Sequence, residues 1–181
     1  MEAASQSSDL KRFDFSQGPR IVGPDAGKSV DLGAIGARMM IWTEETGGDF
    51  SLVEHPMPPH ALAAPLHRHS REDEYSYVLE GELGALLGDD VVHARAGDLV
   101  FKPRDQWHTF WNPGDEPARI LEIISPAGFE RYFDEIAGAL AAGPPEPAFL
   151  AELGTRYGFE ADPESVPGLC ERFGVSMGPR P

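Results

Sequence analysis

His67-Arg68-His69-Ser70-Arg71-Glu72-Asp73-Glu74, continued by Tyr75-Ser76-Tyr77-Val78-Leu79-Glu80 to Gly81, is the stretch from which the rest of the chain can be read. On a strand alternate side chains share a face, so His67 and His69 point one way and Arg68 the other. Glu74 opens the apolar strand that follows and can reach the same point in space from a neighbouring position. Glu72 has the same parity and competes for that role. Glu74 is preferred because it begins the apolar strand, and Glu72 is expected to be solvated in the loop.

A second stretch completes the pattern: Gly97-Asp98-Leu99-Val100-Phe101-Lys102-Pro103-Arg104-Asp105-Gln106-Trp107-His108, with Asn112 four residues on. Its glycine and proline shape a turn that returns the chain into a strand carrying His108. Three imidazoles and one carboxylate suit Fe, Mn, Ni, Co or Zn better than Mg or Ca, which prefer all-oxygen shells. The expectation is one divalent transition metal on His67, His69, Glu74 and His108. Four protein ligands leave two exchangeable positions on a six-coordinate ion, and an open position separates a catalytic site from a sealed one. His55, His60 and His93 belong to neither motif and are read as surface or core residues. By strand parity Ser76 and Val78 share the face of Glu74, and Phe110 and Asn112 that of His108, so these four are expected to line the substrate pocket. Phe110, with Trp107 or Trp111, is a candidate apolar wall for a planar ligand.

The spacings H-x-H-x4-E-x6-G and G-x5-P…H-x3-N resemble the two cupin motifs, and the resemblance covers residues 38 to 125. Ala61 stands where the first motif usually opens with glycine, and Asp105 replaces the glycine after the proline. Asp tolerates left-handed backbone better than most residues, so Asp105 can still serve the turn. The resemblance implies a mainly β fold, the cupin double-stranded β-helix or jelly-roll barrel, here with a C-terminal helical extension. It is nearest to small single-barrel cupins similar to quercetin dioxygenases. That implies a dioxygenase taking a small enolic or phenolic, flavonol-like substrate together with dioxygen, with Glu74 as both ligand and general base. A metal-dependent isomerase or other non-redox enzyme, or a non-catalytic module that binds a small ligand, are the alternatives.

Outward from the motifs the rhythm is that of an all-β domain. Short apolar segments recur at Arg38–Thr43, Phe50–His55, Glu74–Leu79, Leu83–Leu87, Val91–Ala94, Leu99–Lys102, Trp107–Trp111 and Ala118–Ile124, separated by Gly, Pro, Asn and Asp. The expected division is a polar arm at 1–19, the barrel at 20–125 and the extension at 126–181. In that extension Phe129, Tyr132, Phe133, Ile136 and Leu140 fall on one helical face, behind an expected N-cap at Ser125 and Pro126. Phe149, Leu150, Leu153 and Tyr157 predict a second helix stopped at Gly158, and Val166 to Phe173 a third. Tyr75, Tyr77 and Leu79, on the strand face opposite Glu74, are too apolar for open water and predict a cover, either the C-terminal helices or a second subunit in a homodimer.

A net charge of −15 with no Lys or Arg run argues against nucleic acid or an anionic membrane as partner. The single cysteine, Cys170, excludes an intramolecular disulfide and a cysteine-rich zinc site. No signal-like or membrane-spanning apolar run is present, so a cytoplasmic location is expected.

Overall fold

The computed structural model describes residues 20–178, so the arm expected at 1–19 lies outside the described residues. The elements in chain order are β1 Lys28–Asp31, β2 Gly36–Ile41, α1 Thr43–Thr46, β3 Ser51–Met57, β4 Leu66–His69, β5 Asp73–Glu80, β6 Glu82–Leu87, β7 Asp90–Arg95, β8 Leu99–Lys102, β9 His108–Trp111, β10 Ala118–Ser125, α2 Glu130–Ala142, α3 Pro147–Tyr157, β11 Phe159–Asp162 and α4 Ser165–Phe173. Each of the eight segments predicted from the sequence contains a strand, although the first runs past its end: β2 stops at Ile41 and Thr43 opens α1.

The strands form two antiparallel sheets, β1-β2-β3-β10-β5-β8 and β11-β4-β9-β6-β7. Strict alternation explains why they face each other. Along β10, Ala118, Ile120, Glu122 and Ile124 are buried while the residues between them are half-exposed. One apolar cluster joins Met57, Val78 and Ile120 of the first sheet to Leu83, Ala85 and Phe110 of the second. The jelly roll is therefore a sandwich of two sheets, and the hydrogen-bonded ladder does not close into the continuous barrel that the sequence predicts. Each sheet needs to bury only one face, and the shared core achieves that without pairing the edges.

The extension departs from the sequence reading in two ways. Ser125 does not cap a helix: it ends β10, its hydroxyl donates to the Asp49 carbonyl, and α2 begins only at Glu130. Between α3 and α4 lies β11, which the helical pattern did not predict. It pairs antiparallel with β4, placing Phe159 opposite His69 and Ala161 opposite His67. Gly154 lets α3 lie directly on this strand, since a Cβ there would sit 2.6 Å from the Phe159 carbonyl oxygen. The extension is thus hydrogen-bonded to the strand that carries the first histidine pair.

Candidate metal centre

Three strands bring the four candidate ligands together. His67 and His69 project inward from β4 while Arg68 points out and pairs with Glu160 of β11. Glu74 opens β5, and His108 opens β9 directly across from His67. All four side chains are buried, and one ligand atom from each lies within 4.8 Å of the others. Asp105 takes the left-handed conformation that the turn before His108 requires, at φ 64°, and its N–H donates to the His69 carbonyl at 2.7 Å.

The hydrogen bonds around the imidazoles fit a metal. His67 Nδ1 donates to the Pro65 carbonyl at 2.8 Å, and His108 Nδ1 donates to that of Gln106 at 3.0 Å. A carbonyl can only accept, so both rings carry the proton on Nδ1 and leave a lone pair on Nε2. His108 Nε2 then faces Glu74 Oε2 at 3.2 Å, acceptor against acceptor. His69 Nε2 faces Glu74 Oε1 at 3.4 Å, and neither ring nitrogen of His69 has a hydrogen-bond partner. Lone pairs converging in a buried space are what a cation relieves. Metal–nitrogen bonds of about 2.0–2.1 Å would close such a cluster around one ion after small side-chain shifts. Burial holds His67 and His69 in the neutral, metal-binding form: it lowers His69 to about 4 and His67 well below its usual value.

Glu72 is not solvated, contrary to the sequence reading. It is 5% exposed, 3.8 Å from His69 Nδ1, and burial pushes its carboxyl up to about 7. The turn after β4 folds it back onto the far side of the His69 ring, where a carboxylate can orient a ligand.

Beside the four residues lies a buried polar group that the motifs do not include. Lys102 of β8 places its ammonium 2.9 Å from Glu74 Oε2 and 3.0 Å from Glu122 Oε2, and 4.4 Å above the Phe110 ring. Ser76 donates to the same Glu122 oxygen at 2.9 Å. Burial alone would lower the lysine, but Glu122 and Glu74 outweigh it and hold Lys102 above its usual range. For Glu74 burial opposes the charged form, and His69, Lys102 and His108 outweigh it, leaving the carboxyl well below the usual range. Burial raises Glu122. His55 is also inside: its Nδ1 donates to the Gly36 carbonyl, and burial lowers it to about 4. The only sequence sign of this group is parity, since the same-face neighbours of His55, Lys102 and Glu122 are apolar: Val53 and Met57, Val100, and Ile120 and Ile124.

A cavity of about 980 Å³ opens onto the cluster, reached by His67, His69 and Glu74 at its inner end together with His55 and Glu122. Its outer wall comes from the extension. Phe129, Tyr132, Phe133, Ile136 and Leu140, the predicted helical stripe, face it, and Phe159 packs on the rings of both His67 and His69. Of the four residues expected to line the pocket, Phe110 does so. Ser76 lies behind Glu122, and Val78 is in the apolar core. Asn112 is fully buried, where its amide nitrogen donates to the carbonyls of Met57, Pro58 and Glu116. Neither tryptophan lines the cavity: Trp111 stacks on Phe173 of α4, and Trp107 lies beneath the Arg68 guanidinium.

Residues 53–124, which hold the four-residue cluster, match the cupin domain family. The chain carries a single small cupin domain. Among curated relatives it is similar to the polyketide synthase protein CurC of Streptomyces cyaneus, with 38% identity over 60 residues. That match covers 33% of this chain and 39% of the relative, so it spans about two-fifths of the relative's length. Among solved structures the fold resembles KdgF from Halomonas sp., with a TM-score of 0.55 at 19% identity, over 62% of this chain and 99% of that one. It also resembles the polyketide cyclase RemF from Streptomyces resistomycificus, with a TM-score of 0.51 at 26% identity, over 59% of this chain and 79% of that one.

Proposed function

We propose that the protein is a metal-dependent enzyme that binds a planar enolic or phenolic compound of polyketide type and catalyses a non-redox ring closure or isomerisation driven by proton transfer. The observation that carries this reading is the cavity itself. It is a large apolar slot, walled by aromatic side chains, that ends at His67, His69 and Glu74 of the four-residue cluster. The similarity to CurC and RemF supports the substrate class.

A divalent ion held by His67, His69, Glu74 and His108 would act as a Lewis acid, lowering the pKa of an enol or phenol hydroxyl. The remaining chemistry belongs to the chain. Phe110, Phe129 and Phe159 orient a flat ring system and exclude water from it. His55 donates through Nδ1 to Gly36, which leaves Nε2 as an acceptor in the wall of the cavity. A base whose pKa is about 4 is neutral at pH 7, so it is always available, and it takes protons only from an acidified donor. Glu74 is a ligand and, where one of its oxygens is free, a second acceptor.

A dioxygenase acting on the same class of substrate is the second reading. It is favoured by the ligand set, which suits redox-active Fe, Mn, Ni or Co as well as Zn and leaves positions for both substrate and dioxygen. Turnover of hydroxylated polycyclic and β-polycarbonyl compounds with and without dioxygen separates the two. Anaerobic activity with Zn supports the non-redox reading, and stoichiometric oxygen uptake overturns it. No turnover of any compound that binds marks a ligand-binding module instead.

The same proposal divides the chain into a cupin domain at 20–125 and an extension at 126–181 that builds the outer wall of the pocket. It also includes a homodimer. Among the described residues nothing covers Tyr77, Leu99 or Phe101, which are 40%, 55% and 48% exposed on β5 and on the edge strand β8. A second copy would shield this apolar edge, and light scattering that shows only monomer at micromolar concentration contradicts it. No helix among the described residues is long and apolar enough to cross a membrane.

A further inference from the structure

Glu122 is a charge in the wrong place for stability. The other inward residues of β10 are Ala118, Ile120 and Ile124, and an apolar residue at 122 would continue that row. A buried ion pair is often replaceable by hydrocarbon at no loss of stability. Glu122 hydrogen-bonds to none of the four metal-ligand candidates, its partners being Ser76 and Lys102, and His67 and His108 are oriented by the Pro65 and Gln106 carbonyls. Yet Glu122 is held with care. It is 1% exposed, and its Oε2 accepts from both Ser76 and Lys102. Its second oxygen, Oε1, is buried with no hydrogen-bond partner, although the residue lines the cavity. Such an acceptor carries a desolvation cost unless something that enters the cavity satisfies it.

We propose that Glu122 Oε1 is a substrate-recognition point: it accepts a hydrogen bond from a second hydroxyl of the ligand, one that is not bound to the metal. This rests on the proposed substrate class and narrows it to compounds with two oxygen functions on one rigid frame. The first oxygen meets the histidine cluster. The second is a hydroxyl donor placed one lysine head group away, because the Lys102 ammonium contacts both Glu74 and Glu122. Lys102 fixes the separation of the two points, and Ser76 fixes the rotation of the Glu122 carboxylate. The Phe110 ring, 4.4 Å from the Lys102 ammonium, supports the lysine head group from below. Glu122 here is a positioning residue, selecting ligands by hydroxyl pattern.

A site built to pair a hydroxyl rejects the analogue lacking it far more strongly than a site built on shape alone. The probes are 1-hydroxyanthraquinone, which offers one hydroxyl–carbonyl chelating edge, and the 1,3-, 1,5-, 1,6- and 1,8-dihydroxy isomers, which keep that edge and add one hydroxyl. Binding is followed by intrinsic fluorescence quenching of the zinc-loaded protein, with metal content and melting temperature recorded for each variant. In the wild type at least one dihydroxy isomer is expected to bind about tenfold or more tightly than the monohydroxy compound. That preference disappears in Glu122→Gln, which keeps the shape but replaces a purely accepting group. Affinity for the monohydroxy compound and the zinc stoichiometry stay unchanged. Ser76→Ala leaves both charges in place and is expected to shrink the preference several-fold, which keeps the test available should Glu122→Gln fail to fold. A preference that survives in folded Glu122→Gln, one that is undiminished in folded Ser76→Ala, or the absence of any preference in the wild type overturns the inference. Metal-dependent binding of the monohydroxy compound with no effect of Glu122 removes this inference but leaves the proposed function standing. The absence of metal-dependent binding by every compound removes both.

Discussion

The two ends of the sandwich are built from the same strands and have opposite characters. At one end Met57, Val78, Leu83, Ala85 and Ile120 form a hydrocarbon core, with Phe110 on its border with the cavity. At the other the same strands β3, β5 and β10 turn His55, Glu74 and Glu122 inward, joined by Lys102 from β8, His67 and His69 from β4, and His108 from β9. The change happens within a few residues. Along β5 the inward series runs Glu74, Ser76, Val78, from candidate ligand through support to core. The packed end can stabilise the fold through buried area, whereas the polar end carries charges whose desolvation opposes folding. On the proposed function the polar end is there to bind, and the two ends should therefore answer differently to substitution.

The largest expected contrast is at Lys102. Lys102→Met leaves the Glu74 and Glu122 carboxylates buried without their shared cation and should cost about 3–5 kcal/mol in urea denaturation of the metal-free protein. Loading with Zn should recover part of this loss, because the ion supplies positive charge beside Glu74. Equal losses with and without metal would separate Glu74 from the metal site.

Ile120→Ala, at the packed end, should cost about 2–5 kcal/mol through the cavity it opens. The loss should be the same with and without Zn, and metal stoichiometry should not change. A fall in stoichiometry would show that the two ends are not independent.

A smaller effect is the acid sensitivity that His55 brings. Its folded pKa of about 4 lies below the value of 6.5 for a free imidazole, so the native state favours the neutral ring. The stability this gives is fully present above pH 6.5 and is lost as pH falls towards 4, on the order of 3 kcal/mol at most. Lys102, Glu74 and Glu54 face the ring electrostatically. In the metal-free protein, denaturation midpoints followed from pH 7 to 4.5 should fall less steeply in His55→Gln than in the wild type. Parallel curves would place the acid sensitivity elsewhere.

The smallest effect should be at Arg68, which lies between the two β4 histidines but on the outer face. Arg68→Ala removes a partly exposed pair with Glu160 and should cost no more than about 1 kcal/mol, with full metal content.

These contrasts also show which parts of the structure the sequence makes legible. The strand rhythm and the two motifs place eight strands and assemble His67, His69, Glu74 and His108, because strand parity and turn chemistry are local properties. Asp105 in the left-handed region follows the same way. What local reasoning misses depends on pairing between distant segments. β11 lies after a helix and becomes a strand only because β4 offers it an edge. Glu72 looks solvated in a charged loop, yet the turn folds it against His69. Asn112 has the parity of a cavity residue, but its amide serves three backbone carbonyls. Lys102, Glu122 and His55 carry no motif, and each is informative only once the inward face of its strand is known.

The most direct test of the central claim is elemental analysis of the purified protein and of protein incubated with Zn, Mn, Fe, Co or Ni, alongside His69→Ala and Glu74→Ala. About one equivalent of metal in the wild type, lost in both variants with circular dichroism unchanged, is the predicted result. A wild-type protein that carries no metal and takes none up, or variants that keep a full equivalent, would contradict the four-ligand centre on which the proposed chemistry rests.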